Sequence, residues 1–163
     1  MDKLVHDGNV KVHYLPTVSD IAEPTEAEIT AGDDLTPAIP SDGVATTNNR
    51  NNASISMLDS SFVPEQVGTW GTGITLKFAR DRGGASDPAG DVAFALFSER
   101  GPGFLLISRF GDPVDGSVVE VYPVENHKPA PLATAENAYQ QYEVQLAVTD
   151  EPNYLAVVGG VSA

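Results

Sequence analysis

The side chains able to do chemistry in this chain are few and scattered. There are three histidines, His6, His13 and His127, and no cysteine. Zinc needs ligands at close, regular spacings, and no histidine here has a second ligand at an HExxH-like interval. His13 falls on the polar side of an alternating stretch, where a surface histidine is expected. A Ser-His-Asp triad can be built from distant residues, but the Gly-x-Ser-x-Gly elbow that would present its nucleophile is missing. Gly68-Thr69-Trp70-Gly71-Thr72-Gly73 has the glycine density of a phosphate loop. It lacks the Walker A lysine and the dinucleotide spacing, so it reads as a flexible lead-in to a strand. Asp112-Pro113-Val114-Asp115-Gly116 offers two carboxylates without the glutamate that completes a calcium loop, and suits a hairpin turn. Asn52-Ala53-Ser54 is a glycosylation sequon, meaningful only in an exported chain. The expectation is a protein with no catalytic, cofactor-binding or metal-ligating residues, and not an enzyme.

The bulk properties narrow the partners. A chain of 163 residues with 41% hydrophobic and 20% charged composition can build a core. The formal net charge is −14. Binding held by phosphate neutralisation needs clustered Lys and Arg, so a nucleic-acid reader is disfavoured. The charge is uneven: no Lys or Arg lies between Lys11 and Arg50, and none follows Lys128. No stretch approaches the ~20 apolar residues of a membrane span. The start, Met1-Asp2-Lys3, lacks the apolar run of a secretory leader, so synthesis in a cytoplasm without export is expected.

The elements that must position anything functional read mainly as strands, a mainly β (α+β) chain. Val10, Val12 and Tyr14 alternate with Lys11 and His13, with a hairpin turn predicted at Asp7-Gly8. Thr25-Glu26-Ala27-Glu28 fits a capping box, predicting a short acidic helix over about 25–31 with Gly32 closing it. Ile74, Leu76 and Phe78 mark a strand. Asp81-Arg82-Gly83-Gly84 reads as a loop, and a helix is predicted over about 88–99, capped by Ser86 or Asp87. Phe104 to Phe110 is apolar on both faces, as in a buried strand. Ser117 to Glu125 is another strand, whose Pro123 suits an edge or a bulge. A last strand runs from Tyr154 to Val158.

Two regions stand out as surfaces. Tyr142, Val144, Leu146 and Val148 point one way, and Gln141, Glu143 and Gln145 the other, so one side of this strand meets water or a polar lumen. The stretch 36–73 is the least regular, with Pro37, Pro40, Ser41-Asp42-Gly43 and an asparagine-rich run; only Ser54 to Leu58 alternates, and 41–73 is its extended part. It reads as a long loop or arm, and segments of that kind are usually functional or mobile. Phe62 and Trp70 are its large apolar residues and Arg50 its cation. These three are candidates for docking onto another subunit, since aromatics and arginine are enriched at interfaces.

The order of phrases resembles the major tail tube proteins of long-tailed phages of actinobacteria and related hosts. The carriers are an early Asp-Gly, "VKVHYLP", "IAEPTEAEITAGDDLTP", a polar long loop, "GTGITLKFARD", a helix before "RGPGFLLISRFG", and "VEVYPVENHKPAPLATAENAYQQYEVQLAVTDEPNYLAVV". The resemblance spans about Leu4 to Val158 and is weakest over Thr36 to Gly73. It implies a two-sheet β-sandwich or partial barrel with a flanking helix, 1–163 being one tail-tube-like domain. It further implies hexameric rings stacked into a hollow tube, with neighbouring sheets lining the lumen and the long loop reaching a neighbour. Double-stranded DNA would pass through without specific binding. Expected partners are other copies of the chain, a tape measure protein and a tail terminator. The expected location is the virion tail, after synthesis in the bacterial host cytoplasm.

An acidic bore lined by Gln141, Glu143 and Gln145 would repel phosphates and leave DNA free to slide. Two other readings fit a small β-rich chain: another phage structural protein (tail terminator, decoration or head-to-tail joining protein), or a β-sandwich module binding carbohydrate or another ligand.

Overall fold

The computed structural model describes residues 2–5, 7–80 and 92–159. His6, the Asp81 to Gly84 loop, the Ser86 or Asp87 cap and the first part of the 88–99 helix lie outside the described residues.

Among the described residues, nine strands make one antiparallel sheet, seven of them in the order β2-β1-β5-β6-β8-β4-β3. They are β1 (Lys11–Leu15), β2 (Asp33–Asp34), β3 (Val44–Ser54), β4 (Glu65–Ala79), β5 (Pro102–Ser108), β6 (Val118–Asn126), β7 (Ala130–Pro131), β8 (Gln141–Val148) and β9 (Asn153–Val157). β7 pairs with β8, and β9 with β6. Two short helices, α1 (Glu26–Ala31) and α2 (Val92–Phe97), complete the described chain with a 3₁₀ turn at Thr36–Ala38. The mainly β expectation holds. The two separate sheets of a sandwich do not form, because β6 pairs along its length with β5, β8 and β9 and carries the hydrogen bonding from one wall to the other.

The sheet curls instead. β1 and β4 are separated by β5, β6 and β8, yet their inward residues share one core: Val12, Tyr14, Ile74, Leu76 and Phe78 with Leu105, Tyr122, Val144 and Leu146. Phe97 of α2 closes the gap. Its ring meets Tyr14 edge-on at 5.3 Å and Phe78 at 5.9 Å, and Phe78 stacks on Tyr142 at 5.3 Å. The partial-barrel expectation is thus the one that applies. The opposite face carries a smaller core of Leu15, Leu106, Val119, Val121, Ala156 and Val158, covered by Ile29 of α1.

Local chemistry explains most boundaries. Thr25 caps α1: its hydroxyl oxygen accepts from the Glu28 N–H, and Glu28 accepts in return from the Thr25 N–H at 3.0 Å. Gly32 ends the helix at φ −84°, so it is not there for left-handed backbone. A Cβ on it would lie 2.5 Å from the Tyr14 carbonyl oxygen, so close packing of the helix end on β1 is what demands glycine. Pro123 sits inside a central strand, against the edge-or-bulge expectation. It falls between Val121, the last rung with β9, and Val124, the first with β8, where β6 changes partner and a missing N–H costs least. Gly8 turns at φ +77°, but Leu4 and Val5 before it are not in a strand, so the expected first hairpin has no second arm.

The largest departure from the expectation is the arm. The stretch read as an irregular loop is an antiparallel hairpin, paired from Val44↔Leu76 to Ser54↔Glu65. Ser54 ends β3, so Ser54 to Leu58 is not a strand but the entry to the hairpin tip. β8 follows β4 only as far as Gly73↔Ala147. From Thr72 to Glu65 the hairpin therefore runs on alone, about 23 Å at ~3.3 Å per residue. Two β4 residues, Gly68 and Thr69, oppose Asn51 where the register shifts. A Cβ on Gly68 would meet the Asn51 carbonyl oxygen at 2.6 Å, so only glycine lets the bulge close.

Candidate assembly surface

The arm presents its side chains in two sets. Cross-strand partners share a face, so Arg50 and Trp70, Asn48 and Thr72, and Thr46 and Ile74 lie on the face that continues into the larger core. Beyond Ile74 no core remains to cover them, and Trp70 is 44% exposed. Its ring instead meets Tyr154 of β9, centroids 6.3 Å apart, and Tyr154 meets Tyr122 edge-on at 5.8 Å.

These rings line a groove of about 770 Å³ between the root of the arm and the start of β6. Its other walls hold Arg50, Arg109 and Glu120. Arg109 and Glu120 form an ion pair, and the Tyr122 hydroxyl donates to Glu120 at 2.6 Å. Burial, then the hydrogen bond to Glu120, push the Tyr122 phenol far above its ordinary value, so it stays a neutral donor. The hydrogen bond with Glu120 raises Arg109 against the burial that would lower it. The groove thus offers aromatic faces beside a fixed ion pair and one further arginine.

Of the three docking candidates, the structure brings Arg50 and Trp70 together as direct partners in the ladder. Phe62 is elsewhere, at the tip, 74% exposed beside Leu58, which is completely exposed. Ile55, Met57, Val63 and Val67 are also uncovered. Tyr122, Tyr154, Arg109 and Glu120 had no signal in the sequence beyond strand alternation, because only sheet register brings them to the arm's root.

Gln141, Glu143 and Gln145 lie on the other face of the sheet, as their alternation predicts. Glu143 is half-buried, opposite Lys77 on β4 and Ala130 on β7, and Gln145 is opposite Thr75. Glu125, opposite Ala147, joins the same face. Two carboxylates thus stand against one lysine. Among the described residues no group of three or more His, Cys, Asp or Glu is placed to hold a metal ion, and no helix is long and apolar enough to cross a membrane.

The sequence pattern of a family described as phage tail tube protein matches residues 1–161. The chain belongs to that family. Its role is structural, as a tail tube protein of a virion. Three solved structures share the fold. The tail of an empty gene transfer agent particle, determined with C6 symmetry, is 13% identical with a TM-score of 0.54, over 93% of this chain and 99% of that one. The six-fold symmetrised baseplate of the anti-feeding prophage is 10% identical with a TM-score of 0.57, over 94% and 96%. The virion of a native gene transfer agent particle is 11% identical with a TM-score of 0.50, over 93% and 99%. At such identities the likeness is one of fold. A comparison with curated protein sequences finds no match.

Proposed function

We propose that copies of this chain close into six-membered rings that stack into the hollow tube of a phage tail, through which genome DNA passes. The observation that carries this reading is the arm: a two-stranded hairpin that leaves the sheet and ends in Leu58 and Phe62, which touch no core of their own chain. Isolated hairpins are marginal in water, and exposed apolar clusters mark contact surfaces. The six-fold symmetry of the fold relatives favours a ring of six. The arm reaches a neighbouring subunit, and the tube works by geometry, without catalysing a reaction. The polar face with Gln141, Glu143 and Gln145 lines the bore. Its carboxylates repel phosphates across a screening length of ~8–10 Å at physiological salt and leave DNA free to slide. A tape measure protein and a tail terminator meet the tube inside and at its end.

Electron microscopy of the purified protein is the test. Long tubes of stacked rings support the reading, while monomers or isolated single rings point to a terminator or joining protein. A neutral or basic bore in the resolved tube would overturn the part given to Glu143.

A further inference from the structure

We infer that the groove at the root of each arm receives the arm tip of a second copy, with Phe62 and Leu58 packing against the exposed sides of Trp70 and Tyr154 and Asp59 meeting Arg50. The inference rests on the tube reading and names the surface that completes it. Three observations carry it.

The tip and the groove are complementary in kind. The tip offers Leu58 and Phe62 flanking the exposed Asp59. The groove offers Trp70, Tyr154 and Tyr122, with Arg50 on its rim. Arg109 is held by Glu120, but Arg50 has no ion-pair partner among the described residues. In a chain with nine Lys and Arg against 23 Asp and Glu, an open cation beside exposed rings is a selective seat for an acidic, apolar segment.

The contact must form between copies. The ladder holds the arm extended through Ser54↔Glu65, and the exposure of Leu58 and Phe62 shows that neither tip residue folds back into its own groove.

The two surfaces lie at different places on one chain. In a ring or stack, each copy then gives its tip to one neighbour and takes the tip of another, and the six-fold symmetry of the fold relatives favours that arrangement over a closed pair.

The chain has no cysteine, so an engineered pair reports only on itself. Asn48→Cys in the groove wall and Ser61→Cys at the tip, placed in one chain, are assembled, mildly oxidised and run under denaturing, non-reducing conditions. A ladder of dimers and higher species is expected from the double variant, and monomer from either single variant. In a second arm of the experiment, Arg50→Asp raises the concentration needed for assembly at least tenfold, and adding Asp59→Arg in the same chain restores it. Tubes of normal appearance that give no ladder overturn the inference and leave the tube reading standing, as does an Arg50→Asp variant that assembles like the parent. Failure of the unaltered protein to form tubes removes the tube reading itself.

Discussion

Trp70 and Tyr154 hold their ring centroids 6.3 Å apart with planes at 39°, across two strands that do not pair with each other. β4 pairs with β3 and β8, and β9 with β6, so this ring contact braces the root of the arm against a strand with which it shares no ladder.

Trp70→Ala should therefore separate folding from assembly. Aromatic pairs contribute ~0.5–1.5 kcal/mol beyond their area. In a chain of this size that corresponds to a melting-temperature loss of no more than about 6 °C. Circular dichroism should report a folded protein, and electron microscopy few or no tubes. Wild-type tube formation by this variant would show that the Trp70–Tyr154 contact is not needed for assembly.

Phe97 tests the closure of the curled sheet. It is completely buried between Tyr14 and Phe78. Phe97→Ala should cost about 3–5 kcal/mol in urea denaturation, because it removes the ring that touches both Tyr14 and Phe78 and leaves a void in the core. A loss below about 1 kcal/mol, outside that range, would mean that α2 is not what joins the two walls.

The cap of α1 should make stability depend on acid. Burial raises the Glu28 pKa, but hydrogen bonds from Thr25 and from the Ser19 N–H at 2.8 Å outweigh it and leave the carboxyl below its ordinary value. The contribution is then full above the unfolded glutamate value of ~4.3 and is lost as pH falls through the lowered folded value. Glu28→Gln should cost stability at pH 6 and little at pH 3, whereas Thr25→Ala should cost about 1 kcal/mol at pH 6. Equal losses for Glu28→Gln at both pH values would contradict this assignment.

Amide exchange should divide the hairpin in the free protein. Ile74 to Ala79 are flanked by β8 and, in part, β3, and should exchange slowly. Residues 48–54 and 65–72 pair only with each other and should exchange quickly, then become protected in the tube. The same protection in both states would argue against an arm that is ordered by assembly.

Much of the fold was legible because burial writes itself into sequence. β8 reads as Tyr142, Val144 and Leu146 inward with Gln145 outward, and the structure buries those three and exposes Gln145. Thr25 and Glu28 announced α1 because a cap is a contact between residues three apart. β3 and the outer half of β4 sent no such signal. Both of their faces meet water, so no apolar residue need recur at every second position, and the ladder that makes them strands is formed by backbone groups that every residue carries. Phe110, read as part of a buried strand, is exposed in the turn after β5.

The sequence by itself determined the strand-rich class, the capped helix, the direction of the β8 faces and the likeness to tail tube proteins, since each of these is encoded in neighbouring residues. Tertiary structure alone decided that the sheet is one curled whole, that the arm is a paired hairpin, and that Trp70 and Arg50 share a groove with Tyr122, Tyr154 and Arg109. Those relations depend on which strands lie side by side and in what register, and register is fixed by packing between segments up to a hundred residues apart, which no local pattern records.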